Sequence, residues 1–418
     1  MTENTIHVSI SLDGTDHAVG ILWCRHRKGR ETASFEYDKA WLNNPEKFAL
    51  EPALKLMQGA VHTNANQKLF GAIGDSAPDR WGRLLMMRAE ARRAKEVGED
   101  PQTLNEADYL LRVIDETRQG ALRFSVAPEG PYLRESGTTA VPPLIQLPAL
   151  LNVTEKYLEE QESAEELRML LAPGSSLGGA RPKASVRDSG GNLSIAKFPK
   201  RDDSFNIVVW EAVALTLAEM SGVTTAEWKL ENILDKPVLL LKRFDRVGNT
   251  RTPFLSAMSM VGGLDNESHS YLELAEALQM HGASPDADLL ELWRRMVFTI
   301  MISNVDDHLR NHGFMYDRPK GWRLSPAYDM NPTPKSEKAR FLSTAITETD
   351  NAASLDLALE VIGQFRISES DAKLIIREVA EATSKWREIA LKFGLKGSEI
   401  ERMATAFEHE ESEKAKRL

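Results

Sequence analysis

The sequence predicts an α+β protein, mixed in its N-terminal half and mainly helical in its C-terminal half. Three observations carry this. Residues 5–40 alternate loosely in "IHVSISL" and "HAVGILW" around a "DGT" turn, as half-buried strands do. Two further apolar runs, "LSIAKFPK" and "KPVLLLKRFDR", read as buried strands. From about residue 270 the pattern is helical, over 270–281, 285–303, 353–363, 369–391 and 397–414.

The other elements follow in chain order. Residues 76–97 read as a helix with Ser76 as N-cap, Pro78 in the first turn and Asp79 near the positive end. Residues 105–118 read as another helix, stopped by Gly120. Residues 127–148 hold five of the 19 prolines and are the candidate boundary or surface connection. A helix is expected over 155–171, then the glycine-rich, basic "GSSLGGARPKASV", and later the strongly apolar helix "NIVVWEAVALTLAEMSGV". The tail "EHEESEKAKRL" is a charged helix end.

The 418 residues suffice for two or three domains and a large core. A formal net charge of −10 argues against a broadly nucleic-acid-coating surface. The single cysteine, Cys24, allows no intrachain disulfide and suits a reducing compartment. The first residues lack the pattern of a secretory leader, and no run has the length of a membrane span. A cytoplasmic protein without membrane contact is expected.

The chemistry concentrates in "ISNVDDHLRNHGF", residues 302–314, which follows the apolar run "MVFTIMI". Asp306, Asp307, His308 and His312 offer metal ligands, but "HLRNH" lacks the glutamate of a zinc-protease helix. A polar loop capped by asparagines is the bland alternative. The third reading rests on spacing: Asp306 and Asn311 stand five apart, the Asp-x-x-x-x-Asn of a kinase catalytic loop. Phosphoryl transfer needs a carboxylate to orient the attacking hydroxyl and an amide oxygen nearby to hold Mg2+ against the phosphates. "LSPAYDMNP" then supplies a further carboxylate, Asp329, 18 residues after Asn311 and beyond a hairpin in "GFMYDRPKGWRLS". Asp306 keeps the spacing and is favoured over Asp307 as the catalytic carboxylate.

The N-terminal half must then grip the phosphates. "GSSLGGARPKAS", containing Ser176, Gly178 and Gly179, is the candidate loop, with Arg181 and Lys183 adding charge. Lys197 in "LSIAKFP" sits in an apolar strand and calls for an anion. Glu211, 14 residues on in an apolar helix, is its expected partner. "VLLLKRFDR" fits the hinge whose backbone would bond adenine. Each signal is ordinary alone; their order is that of a kinase.

"SSLGGARPKA", "IAKFP", "LLLKRFDR", "NVDDHLRNHGF" and "LSPAYDMNPTP" resemble the HipA family of bacterial serine/threonine kinases, the toxins of HipA–HipB toxin–antitoxin modules. "GDSAPDRWGRLLM" and "ADYLLRVIDETRQGALRF" resemble that family's N-terminal portion. The resemblance implies a two-lobed protein-kinase-like fold with a small N-terminal subdomain. It divides the chain into 1–126, a kinase N-lobe over 127–246 and a helical C-lobe over 247–418. It makes Asp306 catalytic and Asn311 and Asp329 magnesium ligands. It assigns ATP contacts to Lys197, Lys183, His308, Tyr328 and the loop residues, with a hinge at Lys242 to Phe244. It implies autophosphorylation in the loop, at Ser176 with Ser175 as rival, the added charge expelling the loop from a phosphate site. The implied partners are a HipB-like helix-turn-helix antitoxin, with DNA reached only through it, and a protein substrate of the aminoacyl-tRNA synthetase class, glutamate-tRNA ligase in particular. A small-molecule kinase and a corepressor acting with the antitoxin remain as alternatives.

Overall fold

The period-2 segments become long strands because each pairs on both sides. In the computed structural model, which describes residues 2–128, 130–133, 141–174, 179, 181–265 and 267–418, the chain forms two compact units. The first comprises Met1–Asp202 with Glu231–Leu255, the second Asp203–Leu230 with Ser256–Leu418.

The first unit opens with an antiparallel sheet ordered Val61–His62, Arg30–Tyr37, Thr15–Arg27, Thr2–Leu12, Leu122–Ser125. Ile6 lies opposite Leu22 and Leu22 opposite Phe35, and all three are fully buried. Gly20 is required there: a Cβ would stand 2.3 Å from the Glu36 carbonyl and 2.6 Å from the Phe35 ring. Farther along, Lys183–Arg187 pairs antiparallel with Leu193–Lys197, which pairs with Lys236–Lys242.

Several expected boundaries move, each for a local reason. The helix Arg80–Val97 is capped by Asp79, which accepts from the Gly82 N–H, and Ser76 lies outside it in the preceding turn. The helix expected over 105–118 runs only Glu106–Arg112. There the fully buried Arg118 guanidinium donates to the Leu110 and Val113 carbonyls, satisfying the helix end from outside. In place of one helix over 155–171 there are Leu147–Leu158 and Ala164–Gly174, parted at Glu160 with φ +60°. Glu162 between them is buried and takes ion pairs from Arg88 and Arg92, which pins the break. The first of these helices begins inside the proline-rich stretch 127–148, of which residues 129 and 134–140 lie outside the described residues.

Glu51 is buried and accepts from the Ala72 N–H at 2.5 Å, and burial raises its carboxyl to about 7. Its folded value exceeds the ordinary 4.5, so the folded state holds the proton more tightly. Wild-type stability therefore falls as pH rises between those values. Glu51→Gln keeps the acceptor and removes the titration. It should melt like wild type near pH 4 and be more stable by about 2–3 kcal/mol at pH 8. Thermal melts at the two pH values check this.

The second unit is helical as expected, with breaks at two predicted continuities. Glu369–Ser384 is followed by Trp386–Lys392, and Gly397–Phe407 by Glu410–Ala415. Trp386 stacks on Phe407 at 4.7 Å beside Trp210, a core that fixes how these short helices meet. His409 caps the last helix: its Nδ1 accepts from the Ser412 N–H and its Nε2 donates to the Met301 carbonyl. Both bonds suit the neutral ring, and burial lowers its pKa to about 4. No helix among the described residues is long and apolar enough to cross a membrane.

Candidate active site

The helix Pro285–Met301 delivers the loop. Its last turns, Met296 to Met301, are buried all round, so the chain must turn away as it becomes polar at Asn304. Ser303 makes that turn with φ +52° and donates its hydroxyl to the Ala406 carbonyl. Arg340 braces the turn by donating to Ser303 Oγ and to the Ile300 carbonyl.

The two adjacent carboxylates then separate. The Asp306 side chain is 74% exposed, 3.7 Å from Lys338 Nζ, whereas the Asp307 side chain is 7% exposed. Asp307 Oδ2 accepts from the Tyr271 hydroxyl and lies 3.1 Å from His312 Nε2, and its carbonyl accepts from Thr344 Oγ1 at 2.7 Å. Burial pushes the Asp307 carboxyl up, but the His312 and Tyr271 contacts outweigh it and hold the group below its ordinary value. Burial and the Asp307 charge raise the Tyr271 phenol. Asp307 thus anchors the loop while Asp306 is presented to solvent.

Asn311 ends a single 3-10 turn, Leu309–Asn311, and is buried. Its Nδ2 donates to the Asp306 carbonyl at 3.2 Å, which makes Oδ1 the end that could ligate a cation. The predicted hairpin is present as Gly313–Asp317 paired with Gly321–Leu324. Asp288 of the long helix accepts two hydrogen bonds from Arg323 and one from the Leu324 N–H, fixing the hairpin to the helix. The chain therefore returns beside the loop. The Tyr328 hydroxyl donates to the Arg310 carbonyl, Asn331 N–H to Asn304 Oδ1, and Thr333 N–H to the Ser303 carbonyl. Asp329, within this strapped segment, has φ +60°, a left-handed conformation aspartate adopts at a cost and often at functional sites. His308 Nδ1, His312 Nδ1, Asn304 Nδ2 and Asn331 Oδ1 are buried without a hydrogen-bond partner in this neighbourhood.

The donor set suits a hard cation. Asn311 Oδ1 and the Asp329 carboxylate are oxygen donors of the kind Mg2+ takes together with substrate phosphates and waters. Among the described residues no three His, Cys, Asp or Glu side chains gather as a metal site, so the histidine-rich metal reading of 306–312 has no geometric basis. Glu211 is buried in the helix Ile207–Met220 of the same unit.

The first unit carries the other candidates. Lys197 closes its strand directly opposite Lys183, and Lys242 lies opposite Ser194. Phe244 sits 6.2 Å from the Phe254 ring. Gly179 is exposed, with φ +90°. Ser175, Ser176 and Gly178 lie outside the described residues.

One network had no sequence signal. At the end of the expected hinge strand, Arg243 forks onto Asp245 and also donates to the Thr117 and Arg118 carbonyls. Arg246 donates to Asp245, Gly120 and Arg118, and the Gly120 N–H donates to Asp245 Oδ2. Nothing local in "KRFDR" signals burial of its charges, yet Arg243, Asp245 and Arg246 are all buried. Tyr271 and Thr344 were equally silent, being distant in sequence from the loop that they hold.

Residues 175–386, just over half the chain, match the family described as HipA-like C-terminal domain, and the chain belongs to that family. Over 217 residues it is 26% identical to a Sinorhizobium fredii protein named "Putative kinase Y4dM", covering 48% of this chain and 52% of that protein. A Haemophilus influenzae protein named "Putative kinase" is 34% identical over 85 residues, 19% of this chain and 25% of its own length. The chain thus spans about half or less of these relatives. In fold it is similar to HipA of Shewanella oneidensis MR-1, solved with HipB and its operator DNA, at TM-score 0.66 and 16% identity over 96% of this chain and 94% of that one. The α+β class and the helical C-terminal part are as predicted.

Proposed function

We propose that the protein is an ATP- and Mg2+-dependent serine/threonine protein kinase, the toxin of a toxin–antitoxin pair. The observation that carries the reading is the division of labour at Asp306-Asp307: one carboxylate anchored inside, its neighbour presented outward, with Asn311 and the Asp329 segment tied to the same loop.

Asp306 orients the substrate hydroxyl and accepts its proton as the γ-phosphoryl group transfers. Asn311 Oδ1 and the Asp329 carboxylate would hold Mg2+, and a cation held there would supply neutralisation of phosphate charge. Lys197 meets the phosphates, supported by Glu211. Lys242 to Phe244 face the adenine, and His308 and Tyr328 line the nucleotide site. Ser176 takes the autophosphorylation, with Ser175 as alternative. By analogy with the HipA complex, a HipB-like helix-turn-helix protein is the partner, and DNA contact runs through it. The substrate proposed from the family resemblance is an aminoacyl-tRNA synthetase, of the glutamate-tRNA ligase type. Corepression with the antitoxin is compatible with this activity. The same partition of the chain into 1–126, 127–246 and 247–418 by role is proposed.

The test is transfer of labelled γ-phosphate from Mg–ATP, with and without cell lysate. Wild type should label itself and a lysate protein. Ser176→Ala should lose self-labelling and keep the lysate band, whose mass spectrum names the substrate. A wild type that neither binds ATP nor transfers phosphate overturns the kinase reading.

A further inference from the structure

The start of the helix Arg80–Val97 reaches the strand that follows the glycine-rich loop through three contacts. The Trp81 N–H donates to the Gly179 carbonyl at 3.3 Å, and Trp81 Nε1 donates to the Lys183 carbonyl at 3.0 Å. Asp79 Oδ2 lies 3.7 Å from Lys183 Nζ. Asp79 Oδ1 is used as the helix cap, toward the Gly82 N–H, while Oδ2 is buried without a hydrogen bond. The indole is 2% exposed, edge-on to Tyr157 at 5.1 Å, in a core with Leu147, Leu150 and Leu151.

This arrangement meets an electrostatic need. Lys183 is only 5% exposed and stands directly opposite Lys197. Like charges opposed across a strand pair destabilise it, and a buried ammonium demands an anion. Asp79 is the carboxylate placed to supply it. Burial raises that carboxyl to about 6, against the opposing pull of Lys183.

We propose that Asp79 and Trp81 are positioning residues: a latch holding the exit of the glycine-rich loop and the strand Lys183–Arg187 in register for phosphate binding. In this assignment Asp79 takes the Lys183 charge, and Lys197 is the strand cation that meets the nucleotide. The role in nucleotide binding rests on the kinase reading; the latch itself can be tested without it.

The test is hydrogen exchange of the full-length protein without nucleotide, read by mass spectrometry. Asparagine caps a helix as well as aspartate, so Asp79→Asn removes the charge and keeps the cap. Trp81→Phe keeps a large ring and removes the Nε1 donor. Both should speed exchange across residues 183–187 by about tenfold or more and leave 369–407 unchanged, as local opening does. Adding Lys183→Met to Asp79→Asn should restore protection, because a buried pair removed from both sides costs less than one broken from one side. With Mg–ATP, Asp79→Asn should raise KM for ATP about tenfold with kcat held within about twofold. Wild-type protection of 183–187 in both variants overturns the latch. So does uniformly faster exchange across the chain, which makes the contacts matters of general stability. A wild type without phosphotransfer removes the kinase reading instead, and the exchange data still decide the latch.

Discussion

Asp306→Asn should leave the fold intact and lower phosphotransfer by about 10²–10⁴-fold, the usual contribution of a positioned proton acceptor. The side chain is 74% exposed and its ion pair with Lys338 is on the surface, so stability should change by no more than about 1 kcal/mol. Asparagine matches its shape and cannot take the proton. Initial rates at saturating Mg–ATP measure the loss, and an unchanged KM for ATP places it in the chemical step. Asp307→Asn is the control with the opposite signature. It breaks a buried group held by Tyr271 and His312, so the melting temperature should fall along with the rate. If Asp306→Asn turned over normally while Asp307→Asn kept its stability and lost its rate, the two roles would be exchanged.

Asp245→Asn should destabilise the first unit by about 3–5 kcal/mol, the cost of breaking a buried charge network from one side. Asp245 accepts from both Arg243 and Arg246 and from the Gly120 N–H, and burial is overcome by the two guanidinium groups, which hold its carboxyl far below the usual range. With asparagine there, the two buried arginines keep only neutral acceptors among the described residues, the new amide oxygen and the backbone carbonyls, and lose the anion. Arg246, lowered to about 9 by burial even with Asp245 present, is the more exposed to that loss. Arg243→Lys should be nearly as harmful. Its fork reaches Asp245 and two carbonyls at once, which a single ammonium cannot. Urea denaturation measures both. A change below about 1 kcal/mol would mean that water and the carbonyls solvate these arginines unaided.

The network shows where sequence reading stops. In "VLLLKRFDR" the apolar run identified the strand, and the charges after it read only as the end of a hinge. They are buried because the segment Asp115–Gly120, more than a hundred residues earlier, turns its carbonyls toward them. No local pattern records that approach. The loop "VDDHLRN" was more legible, because its chemistry depends on spacing along one turn of chain. Asp306 to Asn311 is a local relation, and the hairpin that brings back Asp329 is set by its own short strands. Which carboxylate faces out was not local: Tyr271 and Thr344, each more than thirty residues away, help decide it by giving Asp307 an interior.

The same division holds for the helices. Caps and periodicity located Tyr271–His281, Pro285–Met301 and Ile207–Met220 nearly to the residue, since side-chain pattern and backbone hydrogen bonding agree there. They failed at 155–171, at Lys385 and at His409, where a buried glutamate, an aromatic stack and an imidazole cap interrupt stretches that were helical by composition. By itself, then, the sequence determined the α+β class, the order of the motifs and the residue types of the site, because periodicity and spacing act over a few residues. Only the tertiary structure decided which charges are buried and what neutralises them. A burial cost of several kcal/mol per ion is met by groups that the fold brings in from far along the chain.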